Sequence, residues 1–266
     1  GLLTDNVNKN STCNAYWYNG SVNFFRSGGG CGNTGELPGV SLHEWAHGMD
    51  TNDGNGFSPE GGTGEIYGDT AAILQTHQSC AGGGFFMSYN PGCGTPPSQS
   101  SSYHNCSGYG HCCTDCSGVR DADYAKHTGS EMATPTGFNQ SHCATGYSCV
   151  GPCNRECHCE NAPGIQANWD LAVRVFPSLY SMDTSTAWQY LDKYFYASAP
   201  NRLAAFVCGT NTSTGTGNLF NQYRVVDDCD GVLTNGTPHA AGIYQALGTN
   251  HGIGNSSAVN TDNNCS

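Results

Sequence analysis

The sequence predicts an α+β fold: a short strand region, two helices flanking one loop, a disulfide-rich loop insertion, and a mainly helical C-terminal lobe. Three observations carry this. Aromatic and β-branched residues crowd residues 14–26, apolar residues recur at helical spacing over 40–49, 65–78 and much of 162–247, and residues 80–159 hold eleven of the sixteen cysteines with little periodicity of either kind.

Each element has a local reason. The run from Asn14 to Arg26 fits an edge strand or hairpin turning near Asn19-Gly20. Val40 to Met49 reads as a short buried helix stopping near Gly48, and Glu65 to Gln78 as a second helix with Ile66, Ala72 and Ile73 turned inward. Between them, Asp50 to Gly64 reads as a loop rich in Gly, Asn and Asp. Helices are expected over 162–176, 184–196, 201–208 and 239–247. With no repeat and no long linker, the chain is taken as one catalytic unit: 1–79 the strand and helix region, 80–160 the insertion, 161–266 the lobe completing the cleft.

Composition narrows the function class. Nine basic against 21 acidic residues give a formal charge of −12 with no basic run, which excludes tracking a phosphate backbone. No apolar run approaches the roughly 20 residues that span a bilayer. The cysteine count, together with Asn-x-Ser/Thr sequons at Asn10, Asn19, Asn105, Asn139, Asn211, Asn235, Asn255 and Asn264, points to a secreted, extracellular glycoprotein. Residues 1–20 lack the pattern of a signal peptide, so a mature, trimmed form is expected, acting as a monomer. Because eleven is odd, full pairing requires a bridge from the insertion to Cys13, Cys31, Cys208, Cys229 or Cys265.

His43-Glu44-Trp45-Ala46-His47 places two imidazoles four residues apart on one helix face, where both can reach a single zinc ion. Glu44, beside them, is suited to take a proton from water activated by that metal. A third ligand is needed, and Glu65, eighteen residues after His47, is the best candidate. Asp69 follows one turn later and can fix a histidine tautomer as a supporting carboxylate. Asp50 and Asp53 are rivals that suit turn formation or calcium binding equally well. His158 between Cys157 and Cys159, and His111 before Cys112-Cys113, could instead mark a structural zinc module, although disulfides are the expected state of these cysteines.

HEWAH followed by EIYGD resembles the HExxH and Glu-xxx-Asp pair of the thermolysin-like gluzincins, the zincin peptidases that include the fungalysins. Asn14-Ala15-Tyr16-Trp17 with Asn19-Gly20-Ser21 is similar to the edge strand of that family, and Asn235 to Ile243 (NGTPHAAGI) to its segment carrying a later histidine. The resemblance implies a secreted zinc metalloendopeptidase acting on protein or peptide substrates. It further implies that a peptide lies as an added strand along Ser21 to Arg26, that Asn14 and Ala15 touch the substrate backbone, and that His239 donates a hydrogen bond to the oxyanion. Arg155 is the candidate for the family's substrate-binding arginine. The family aspartate that orients the later histidine is replaced by Thr234, leaving Asp227, Asp228 or Asp230 as substitutes; Tyr67 and Arg155 are the reserve candidates for His239's role. The alternative is a non-catalytic binding module with a structural metal, which would have no need of Glu44.

Overall fold

A computed structural model describes residues 3–54, 56–87, 116–123, 135–201, 204–208, 219–255 and 258–262. It is a mixed α+β structure in which a small sheet and a helical lobe enclose two central helices.

Strands β1 (Thr4–Lys9), β2 (Ala15–Tyr18) and β3 (Ser21–Phe25) form a sheet in the order β1-β3-β2. The hairpin joining β2 to β3 turns at Asn19 and Gly20, whose φ angles of 44° and 80° are the left-handed pair that a tight two-residue turn requires. β1 runs parallel to β3, and its pairing was not legible in so polar a segment. The inner face of the sheet buries Ala15, Val22 and Phe24 against Val40, Phe85 and Val119. β3 is therefore the central strand with both edges paired, and the expectation that a peptide adds along Ser21 to Arg26 is corrected: among the described residues the unpaired edges belong to β1 and β2.

Helix α1 (Pro38–Asn52) opens with proline in its first turn, where a missing N–H costs nothing. It does not stop at Gly48. A Cβ there would lie 2.8 Å from the Trp17 ring, so that glycine marks close packing of helix on sheet. Helix α2 (Gly61–Thr76) begins four residues earlier than its apolar pattern implies, capped by Glu60, whose carboxylate accepts from Thr63 N–H at 3.0 Å. Its opening glycines admit the neighbouring disulfide loop; a Cβ on Gly61 would meet Cys149 Sγ at 2.4 Å. The helix ends at His77, with φ 52° and its N–H bonded to Ile73 O.

Five disulfides lie among the described residues: Cys13–Cys31, Cys80–Cys116, Cys143–Cys159, Cys149–Cys157 and Cys153–Cys208. They fit an extracellular protein. Cys153–Cys208 is a bridge out of the insertion that the odd count demands. Cys157 and Cys159 are both in bridges, so the Cys-His-Cys run is not a thiolate zinc module, while His111, Cys112 and Cys113 lie outside the described residues. Two-residue strands β4 (Cys80–Ala81) and β5 (Arg120–Asp121) pair antiparallel beside the Cys80–Cys116 bridge.

The C-terminal lobe packs helices 162–170, 176–180, 184–198, 219–227 and 240–244 around Ile165, Phe176, Leu191, Tyr194, Tyr223, Ile243 and Leu247, all fully buried. Each such side chain contributes roughly 1.5–3 kcal/mol by leaving water. A π-turn at Leu171–Val175 interrupts the first of these. The expected helix over 201–208 is not formed at 204–208, which run irregularly to the Cys153 bridge. Among the described residues no helix is long and apolar enough to cross a membrane. Of the sequons, Asn10, Asn19 and Asn235 are exposed, whereas Asn139 is fully buried inside a helix and closed to a glycan in the folded chain; Asn105, Asn211 and Asn264 lie outside the described residues.

Candidate metal centre

Two helices build the centre by crossing where α2 has no side chain. At Gly68 an added Cβ would lie 2.6 Å from His43 Cε1, so the glycine is what lets the ring of α1 settle against α2. With the helices this close, Glu65 of α2 meets both imidazoles of α1. Its Oε2 stands 3.2 Å from His43 Nε2 and its Oε1 3.6 Å from His47 Nε2, and the two histidine Nε2 atoms are 3.0 Å apart. His43, His47 and Glu65 thus form a group whose ligand atoms all lie within 4.8 Å of one another and could hold a metal ion.

Asp69, one turn beyond Glu65, is fully buried and sits 2.7 Å from His43 Nδ1. A proton on Nδ1 is thereby fixed, so that when a metal displaces the proton on Nε2 the lone pair left there faces the gap between the ligands. Asp69 is itself held by Asn161 Nδ2 at 2.7 Å and by Arg120, which donates through Nη2 at 2.7 Å and through Nε. Arg120 Nη2 also lies 3.7 Å from Glu65 Oε2. Burial works against charge on all these groups, and the neighbours decide the outcome. Burial opposes the Asp69 charge, but Arg120 and His43 hold its carboxyl far below the usual range. Glu65 is likewise held low, against burial, by His158, His43 and His47. Burial pulls His43 down, yet Asp69 and Glu65 outweigh it and lift the imidazole to about 10. His47 is lowered by burial and then by His43.

The centre opens on a cleft of about 620 Å³. Asn14, Ala15, Tyr16 and Trp17 of the β2 edge form one wall, Val40, Ala81, Phe85 and Val119 an apolar flank, and Glu44, only 7% exposed, lines it beside the two histidines. Phe57 and Tyr147 line it too, and both are solvent-exposed.

The structure brings together His43, Glu44, His47, Glu65, Asp69, Asn14 and Ala15. It does not bring Asp50, Arg155 or His239 into the group lining the cleft. Asp50 accepts from Ser58 N–H and Oγ and so ties the interhelix loop instead of offering a ligand. Arg155 is fastened through its backbone to the Glu160 carboxylate, and the arginine in the cleft is Arg120. His239 belongs to the helical lobe. Its Nδ1 lies 2.7 Å from Asp227 Oδ1, and the rings of Phe176, Tyr180 and Tyr190 pack around it. Of the three aspartates considered as its partner, Asp227 occupies that position, with Tyr194 OH bonded to the same oxygen. Tyr67 is buried against Phe195 in the core.

Arg120 and His158 are the residues of the cleft that the sequence did not reveal. One arginine in a stretch without periodicity carries no signal beyond its rarity, and His158 between two cysteines points as readily to metal binding by thiolates. The chain matches no family model and no curated protein sequence.

Proposed function

We propose that the protein is a secreted zinc-dependent endopeptidase. The observation that carries the reading is the convergence of His43, His47 and Glu65 with Glu44 beside them in a cleft bordered by an open strand edge. The donor set fits zinc: two imidazoles and one carboxylate are the ligands of many catalytic zinc sites, which keep a further position open. Glu65 Oε2 is buried and turned toward His43 Nε2 at 3.2 Å, with no other hydrogen-bonding group that near among the described residues, a position that a cation between the ligands would satisfy. Zinc held there supplies Lewis acidity and lowers the pKa of water to about 7.

The chain's own residues do the rest. In the register of the hairpin, Ala15 and Trp17 turn main-chain groups toward the open edge of β2, so an extended peptide pairs there largely independently of its sequence. Asn14 Oδ1 already accepts the Ala15 N–H, which leaves, among the described residues, the carbonyl of Ala15 and both groups of Trp17 for the substrate. Arg120, held by Asp69, is the arginine of the cleft wall, which Arg155 does not line. Glu44 takes a proton from the attacking water, whose oxygen bonds to the carbonyl carbon, and passes it to the amine nitrogen as the carbon–nitrogen bond breaks. The products are a free carboxylate and a free amine.

Purified chain should carry about one zinc per molecule and lose cleavage of an unfolded protein substrate when stripped by a chelator, regaining it on zinc return. Full zinc with no cleavage of any peptide would leave the binding-module reading in its place.

A further inference from the structure

Glu65 serves two groups of donors. Its Oε2 is nearest His43 Nε2 at 3.2 Å, whereas its Oε1 lies 3.4 Å from His158 Nε2 and 3.6 Å from His47 Nε2. The ligand atoms of His43, His47 and Glu65 lie within 4.8 Å of one another, and so do those of Glu65, Cys157 and His158. Glu65 is the one residue common to both groups. His158 is absent from the first, so it is not placed to share the ion of the histidine pair.

The contact between His158 and Glu65 has the dimensions of a metal site. An N–H···O hydrogen bond spans about 2.7–3.2 Å, and this pair is wider at 3.4 Å. Two donors each about 2.0–2.2 Å from one tetrahedral ion stand roughly 3.3–3.6 Å apart, which is the spacing seen. The ring is also held as a ligand is held. Glu156, only 2% exposed, accepts Cys159 N–H on Oε2 at 2.9 Å and accepts His158 Nδ1–H on Oε1, so Nε2 is the nitrogen left facing Glu65. Asp69 does the same for His43, and a carboxylate on the far nitrogen is the usual support of a metal-binding imidazole. The disulfides Cys149–Cys157 and Cys143–Cys159 pin the backbone on either side of His158. Charge points the same way. Glu44, Glu65, Asp69 and Glu156 line the cleft with Arg120 as the arginine among them, so one divalent ion leaves that lining negative.

We propose that Glu65 and His158 hold a second divalent cation of the class that imidazole and carboxylate donors favour, zinc foremost, with Glu65 bridging it to the ion of His43 and His47. The inference rests on His43, His47 and Glu65 being a zinc centre, and not on the reaction carried out there. Cys157 is committed to its bridge with Cys149 and offers no thiolate, so this ion has two protein donors and completes its coordination with water. The His158 side chain is one-third exposed, which leaves the ion open to exchange with solvent. It is therefore the weaker of the two and is lost on purification, in keeping with the single zinc expected of the isolated chain.

The test is zinc titration of metal-stripped, full-length, disulfide-intact chains, followed by calorimetry and by competition with a chromophoric chelator, with circular dichroism to report folding. Wild type should take up two zinc ions, the second at least about 10²-fold more weakly than the first because it has two protein donors in place of three. His158→Ala and His158→Gln should each keep the tight ion and lose the second. Glu156→Gln should weaken the second by roughly 10- to 100-fold and leave the first unchanged. A wild type that saturates at one zinc would overturn the proposal. So would a second zinc retained by both His158 variants, which would place that ion elsewhere, or loss of the tight zinc from both in folded form, which would make His158 a ligand of the first ion. A wild type that binds no zinc would remove the metal centre itself, and this site with it. If His158→Ala does not fold, the glutamine variant carries the same readings.

Discussion

Asp69 Oδ1 lies 2.7 Å from His43 Nδ1, and the same carboxylate is met by Arg120 and Asn161, so one fully buried acid links the metal group to two other segments of the chain. His43 keeps its ring orientation because α2 supplies both that carboxylate and the gap at Gly68.

Asp69→Ala should therefore weaken zinc binding by roughly 10- to 100-fold without abolishing it, because all three ligands remain but one loses its orientation. Competition against a chelator of known affinity measures this. Glu65→Ala should lose zinc altogether, and an inverted order of severity would exchange the roles given to the two acids.

Arg120→Met removes the cation that Asp69 and Glu65 face, leaving buried charge uncompensated. A loss of roughly 3–5 kcal/mol in unfolding free energy is expected. The double variant Arg120→Met/Asp69→Leu should lose less than the sum of the singles, since the stranded charge goes with its partner. Additive losses in denaturant unfolding would mean the pair is not coupled.

Glu160 gives the pH dependence a distinct signature. Burial pushes its carboxyl up to about 7 in the folded chain, against two accepted backbone N–H bonds from Cys153 and Arg155. A raised folded pKa means that the folded state holds its proton where the unfolded state has lost it. The contribution of Glu160 is thus fully present below the ordinary carboxylate pKa and is lost as pH rises toward about 7. Glu160→Gln should flatten the fall in melting temperature over that window. A slope identical to wild type would show that Glu160 titrates normally.

Much of the centre was legible in the sequence because helical spacing fixes it: His43 and His47 share a face by the four-residue rule, and Glu65 and Asp69 do so in turn. The hairpin was legible from Asn19-Gly20, where two left-handed residues in succession allow few alternatives. What was not legible depends on contacts distant in sequence. Gly61, Gly62 and Gly68 read as loop or helix-weakening residues, yet each marks a close approach of another segment. Arg120 reaches Asp69 only because the Cys80–Cys116 bridge and the β4–β5 pair carry it there, and His158 points into the cleft only because Glu156 and two disulfides aim it. The NGTPHAAGI segment illustrates the converse: its histidine forms the expected aspartate pair, with Asp227, but is not among the residues that line the cleft.

The most direct test is the peptide cleavage rate of zinc-loaded Glu44→Gln beside zinc-loaded wild type. Glu44 lines the cleft without belonging to the ligand trio, so the variant should bind zinc as wild type does and cleave at least about 10²-fold more slowly, the loss expected when a general base is removed. Equal cleavage rates at equal zinc content would contradict the account.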